Sequence, residues 1–103
     1  MKPTDIDILR DPTEPGINLD GFGDADDLWS FAECVRTNPR ACARILFPDR
    51  PKGYVSETKM LCHYAYNKAT AMRCRLDGRI PAALIYERIC EDIYGRLAEF
   101  ARW

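Results

Sequence analysis

The strongest pattern in the sequence is a series of apolar residues at helical spacing in the second half of the chain. The series is Leu61, Ala65, Ala69, Met72 and Leu76, which lie on one face of a helix. The helix is expected to begin at Ser56 or Glu57, with Ser56 as its N-cap. It is expected to end at Asp77 and Gly78, because glycine readily adopts the left-handed conformation of a helix C-cap.

A second apolar stripe follows this stop signal and predicts a further helix that begins at Pro81. Its members are Leu84, Ile85, Ile89, Ile93, Leu97 and Phe100. Gly95 interrupts the stripe, so the helix is expected to end there and to resume as a final turn to Trp103. The link between the two long helices is short, which predicts an antiparallel hairpin. We expect this hairpin to form the structural core, with Met72 and Ile89 buried in it.

Two shorter helices are predicted upstream of the hairpin. The first begins near Asp24 or Asp26, because an acidic side chain there accepts hydrogen bonds from the first turn and opposes the helix dipole. Its apolar face consists of Leu28, Phe31, Ala32 and Val35. The second covers residues 39–47, with Asn38 as N-cap and Pro39 at the first helical position. Residues 47–55 contain two prolines and a glycine and are expected to form a loop.

The first 23 residues contain three prolines and three glycines, so no regular periodicity can be sustained in them. We expect an extended acidic arm over residues 1–23, of which Ile17, Leu19 and Phe22 dock as a short extended segment. Residues 24–103 are expected to form one helical domain. The predicted fold class is therefore all-α, a small bundle of three to four helices with a long antiparallel helical hairpin.

Composition restricts the class of protein further. Of the 103 residues, 47% are apolar and 30% are charged, a balance typical of a folded globular domain. No stretch approaches the roughly 20 apolar residues of a membrane helix, and no secretory signal is present, so we expect a cytoplasmic protein without a membrane partner. The five cysteines are an odd number without a C-x-x-C pair. They are expected to be reduced core residues, with no metal ion and no cofactor bound.

Charge is distributed unevenly along the chain although its net value is only −1. Residues 1–33 contain nine acidic and two basic side chains, a net charge of −7. Residues 34–79 contain ten basic and three acidic side chains, a net charge of +7. One hypothesis is that the acidic arm folds back onto the basic body and screens it from weak polyanionic partners. The alternatives are that the arm is a solvated tail or that a partner binds it through Ile17, Leu19 and Phe22.

The sequence gives no positive indication of an enzyme. Phosphate-binding glycine loops, the nucleophile elbow and the H-E-x-x-H zinc motif are all absent. Cys62 and His63 are adjacent, but neighbours on a helix point about 100° apart and cannot readily act together. Paired carboxylates such as Glu91 and Asp92 are expected on a solvated helix face. We therefore expect a non-catalytic protein.

The basic body is the best indication of function that the sequence offers. The residues expected to form a binding face are Arg40, Arg44, Lys59, Tyr64, Tyr66, Lys68, Arg73 and Arg75. Arginine and tyrosine are enriched at interface hot spots, which favours a protein–protein interaction or adaptor and regulatory module. The alternative is a nucleic-acid-binding accessory protein, for example of a mobile element, whose residues 36–79 contact phosphates. A purely solubilising role of these charges and self-association of the chain both stay open.

Overall fold

The computed structural model describes residues 18–48 and 54–103, and this part of the chain is helical without any strand. The four helices are α1 (Ala25–Thr37), α2 (Pro39–Leu46), α3 (Val55–Leu76) and α4 (Ile80–Arg96). Two 3-10 turns, Leu19–Gly21 and Glu99–Ala101, precede and follow them. The predicted all-α bundle with a long antiparallel hairpin is confirmed. Of the predicted arm, residues 1–17 lie outside the described residues.

Local sequence signals explain most of the helix boundaries. The Asp24 side chain accepts a hydrogen bond from the backbone N–H of Asp26 at 2.7 Å, which caps α1 as predicted. Pro39 stands in the first turn of α2 as predicted, but the Asn38 side chain makes no capping hydrogen bond. Ser56 is not an N-cap either, because α3 begins one residue earlier, at Val55.

Gly78 makes the tight turn between α3 and α4 possible. Its φ of +76° lies in the left-handed region that side chains with a Cβ rarely adopt. The backbone N–H of Gly78 donates to the carbonyl of Arg75 at 3.1 Å, and that of Arg79 donates to the carbonyl of Cys74 at 2.8 Å. These two bonds satisfy carbonyls at the end of α3, and α4 then runs back antiparallel to it.

The core includes α1 as well as the hairpin, which is a correction to the expectation that the hairpin forms the structural core. The largest fully buried side chains include Phe31, Leu28 and Val35 of α1 and Leu61 of α3. The segment before α1 contributes as well. Leu19 is fully buried in its 3-10 turn.

The apolar stripe of α4 is only partly buried, which is a second correction. Leu84, Ile85 and Ile89 are exposed, whereas the helix buries the small residues Ala83 and Cys90. The physical reason is the position of α4 at the side of the bundle, where it packs chiefly against α3. A helix with one close neighbour buries a narrow strip, so part of a wide apolar face stays in contact with solvent.

The described helices give no membrane-spanning segment, because none of them is both long and apolar enough to cross a bilayer.

Candidate functional site

Two cations of the predicted basic face are paired with acidic residues near the start of the described chain. The Lys68 ammonium group lies 2.5 Å from Asp20, and the Arg73 guanidinium group lies 2.9 Å from Asp26. Arg73 also lies over the indole ring of Trp29, 4.9 Å from its centroid. These contacts place acidic side chains from the N-terminal third on the basic surface of α3.

A third cation of this face, Arg75, forms an ion pair across the hairpin with Glu87. The Nε and Nη2 groups of Arg75 each donate a hydrogen bond to the Glu87 carboxylate, and these bonds lower the pKa of Glu87. Arg75 therefore links α3 to α4, in addition to being a surface charge.

The two tyrosines of the predicted face are also engaged within the chain. Tyr64 is buried, and its hydroxyl donates to Asp20 at 2.8 Å. Tyr66 is half-buried, and its hydroxyl donates to Glu33 at 2.6 Å. Burial, followed by these carboxylate contacts, raises the pKa of both phenols. Both hydroxyl groups thus have intramolecular acceptors.

The other three residues of the predicted face differ from these five. Arg40, Arg44 and Lys59 are exposed and form no ion pair with any residue in the ranges 18–48 and 54–103. Arg40 and Arg44 lie one turn apart on α2, so their side chains share one side of this short helix. Three cations of the predicted face are therefore without an ion pair in the described part of the chain, two on α2 and one near the start of α3.

Asp20 connects three parts of the fold through one half-exposed carboxylate. It accepts hydrogen bonds from the Tyr64 hydroxyl and the Lys68 ammonium group on α3, and from the indole N–H of Trp103 at 2.7 Å. Burial raises the pKa of Asp20, but the three hydrogen bonds outweigh this effect and the pKa is lowered overall. This residue belongs to the structural framework of the domain.

All five cysteines are buried, as the sequence predicts. The Cys34 and Cys42 sulfur atoms lie 3.7 Å apart. The Cys62 thiol donates to the carbonyl of Ala32 at 3.2 Å, and burial raises its pKa to about 11. Cys62 is therefore a protonated thiol near neutral pH. Among the described residues, no group of three acidic, cysteine or histidine side chains could hold a metal ion.

Exposed apolar side chains are concentrated at the turn end of the hairpin. Leu76, the last residue of α3, is 85% exposed, and Ile85 and Leu84 of α4 are 62% and 55% exposed. Ile80 and Ile89 are 41% and 37% exposed. These five residues are called the hairpin patch. Contiguous exposed apolar surface on a small domain is typical of an interaction site.

The helical spacing defines how the patch is arranged on α4. With about 100° of rotation per residue, Ile80 and Leu84 lie along one side of the outer face, and Ile85 and Ile89 lie along the other. Pro81 and Arg88 lie between the two pairs. The buried residues Ala83 and Cys90 lie on the opposite side of the helix.

The hairpin patch was not part of the predicted binding face. The helical spacing of Leu84, Ile85 and Ile89 predicts instead that they are buried in the hairpin core. A usable signal was nevertheless present, since Leu84 and Ile85 are adjacent and point in directions about 100° apart. One neighbouring helix cannot cover both directions.

Comparison of the chain with protein-family models, with curated proteins and with solved structures finds no match.

Proposed function

We propose that this chain is a non-catalytic protein–protein interaction module with an adaptor or regulatory role, and that it binds through the hairpin patch. The observation that supports this proposal is the exposure of five large apolar side chains at one end of the molecule. Burying one such side chain contributes about 1.5–3 kcal/mol, so a protein surface that covers several of them gains substantial affinity. Apolar side chains of this kind form the centre of protein interfaces.

The state of the predicted basic face also favours a protein partner. Lys68, Arg73 and Arg75 already have carboxylate partners within the chain. A phosphate backbone would have to compete with these carboxylates for each cation, which reduces the gain from counterion release. The hairpin patch has no such internal competitor among the described residues.

Capture experiments with the full chain as bait test this proposal. The variant is L84D/I85D, which places two charges in the hairpin patch at positions that are more than half exposed. The matched control is His63→Asp, which introduces an acidic side chain at an exposed position elsewhere on α3. A lysate of the source organism is treated with nuclease, captured proteins are identified by mass spectrometry, and binding is repeated with purified components.

We expect L84D/I85D to weaken binding of the purified partner at least about tenfold, because charge would be buried against apolar surface. His63→Asp should bind like the wild type. Circular dichroism confirms that each variant is folded. Binding that L84D/I85D leaves unchanged would show that the hairpin patch is not the contact surface.

The alternative function is nucleic-acid binding, and one observation favours it: Arg40, Arg44 and Lys59 are exposed without an ion pair in the described part of the chain. Fluorescence anisotropy of labelled DNA and RNA at low salt tests it. Our proposal predicts no binding. Binding that R40A/R44A weakens, and that declines with salt in proportion to the phosphates contacted, would favour the alternative.

The proposal places the protein in the cytoplasm. Its support is the set of five buried thiols, because a reducing compartment preserves them and an oxidising one promotes disulfide exchange.

A further inference from the structure

The outer face of α4 has a pattern that is the same in both directions along the helix. Leu84 and Ile85 form its centre, Ile80 lies four residues before Leu84, and Ile89 lies four residues after Ile85. In an antiparallel two-fold dimer a residue of one copy meets the residue of the other that lies equally far on the opposite side of the axis, so a pattern that is the same in both directions is self-complementary. The axis would pass between positions 84 and 85, perpendicular to the helix.

We propose that the hairpin patch binds a second copy of this chain, with the two α4 helices antiparallel. The proposal deepens the proposed function by naming the partner of the same surface, and it rests on that function. In this arrangement Leu84 and Ile85 of the two copies form two apolar pairs, one on either side of the axis, and Pro81 and Arg88 of each copy lie between these pairs. Ile80 of each copy then lies at the same height as Ile89 of the other, one on either side of the contact.

Charges beside the patch favour the antiparallel direction. Arg79 precedes α4, whereas Glu91 and Asp92 lie on the exposed face of its second half. Antiparallel pairing places Arg79 of each copy beside Glu91 and Asp92 of the other, and this contact occurs twice. Parallel pairing would instead bring the two acidic pairs together. Among residues 18–48 and 54–103, the one ion pair of Arg79 is a 3.9 Å contact with Asp77 at an exposed site.

The inner side of α4 is consistent with an occupied outer face. The helix buries only the small residues Ala83 and Cys90 completely and packs Ile93 partly against the core, whereas Ile80, Leu84 and Ile85 are exposed. A helix of 17 residues is about 25 Å long, which gives the two copies a contact of several turns. Because a few apolar side chains and rim charges supply the affinity, we expect a reversible dimer.

Sedimentation velocity of the purified full chain tests the dimer. It is measured in reducing buffer at protein concentrations that span about a hundredfold range. The weight-average mass should rise from 11.8 kDa towards twice that value. L84D/I85D should stay at 11.8 kDa throughout, whereas His63→Asp should dimerise like the wild type. The circular dichroism spectrum and melting of each variant are compared with those of the wild type to verify folding.

A charge exchange tests the antiparallel register directly. Arg79→Glu and the double variant E91R/D92R should each associate more weakly than the wild type, because each homodimer contains two repulsive contacts. An equimolar mixture of the two should dimerise again, since both contacts are attractive in the mixed pair. A structural role of these exposed residues within one chain would not produce recovery on mixing.

A full chain that stays monomeric at every concentration would overturn the dimer, whether residues 1–17 or another protein then covers the patch. A dimer that L84D/I85D does not weaken, or a mixture without recovery, would overturn it as well. A monomeric chain whose capture of another protein is lost in L84D/I85D would overturn the dimer alone and leave the proposed function standing. A monomeric chain with capture unaffected by L84D/I85D would overturn both.

Discussion

Replacing Asp20 by Ala should destabilise the domain more than the substitution of an exposed residue usually does. The substitution removes the acceptor of the Tyr64 hydroxyl, the Lys68 ammonium group and the Trp103 indole N–H. A buried hydroxyl that loses its partner costs about 1–3 kcal/mol. The Lys68 pair, which is partly exposed, contributes at most about 1 kcal/mol. With the Trp103 bond included, we expect a loss of about 2–4 kcal/mol in the free energy of unfolding.

Thermal and urea unfolding at pH 7, followed by circular dichroism, measure this loss. One kcal/mol corresponds to about 4–8 °C in a domain of this size, so the Tm should fall by roughly 8–30 °C. Asp20→Asn retains one acceptor oxygen and should lose less than Asp20→Ala. A double-mutant cycle with Tyr64→Phe should give a coupling energy of about 0.5–3 kcal/mol. A loss below about 0.5 kcal/mol in Asp20→Ala would refute the connecting role of this carboxylate.

The same residue predicts a pH dependence with a definite sign. Burial raises the pKa of Asp20, but the hydrogen bonds from Lys68, Trp103 and Tyr64 lower it below the ordinary value of 3.8 overall. The folded state therefore favours the carboxylate. This contribution is complete above the unfolded-state pKa of about 3.9 and is lost as the pH falls through the lower folded-state pKa. The difference in free energy of unfolding between wild type and Asp20→Asn should shrink from pH 7 to pH 3. A difference that increases as the pH falls would contradict the lowered pKa of Asp20.

Two further predictions concern the core and the thiols. Leu61→Ala should cost about 2–5 kcal/mol because Leu61 is fully buried, whereas Ile89→Ala should cost less than about 1 kcal/mol because Ile89 is 37% exposed. Equal losses in thermal melts would show that Ile89 is buried as deeply as Leu61. Burial raises the pKa of Cys62 and of Cys90 to about 11, so both should react slowly with iodoacetamide at pH 8 in the native protein. All five cysteines should react after unfolding in guanidinium chloride, and fast labelling of Cys62 in the native state would contradict its burial.

Helix positions in this chain follow from interactions between residues close in sequence. The Asp24 side chain caps α1 by accepting a hydrogen bond from the backbone N–H two residues later. Pro39 fits the first turn of α2, and Gly78 adopts the left-handed conformation in the turn that ends α3. Each of these signals lies within one turn of the boundary that it sets, so the all-α hairpin could be predicted from the sequence. The N-caps of α2 and α3 were less predictable. Asn38 precedes α2 but its side chain makes no capping hydrogen bond, and Ser56 lies inside α3 and not at its N-cap.

Burial and pairing depended on which elements become neighbours in space. Spacing alone could not distinguish Leu61, which is fully buried, from Leu84, which is 55% exposed on α4. Nor could the spacing show that Asp20 accepts hydrogen bonds from Tyr64 and Lys68, which lie 44 and 48 residues further along the chain. A periodic pattern defines an apolar face, but the number of helices that pack against that face decides how much of it leaves the solvent. Because α4 packs chiefly against α3, its outer apolar residues stay exposed and available to a partner.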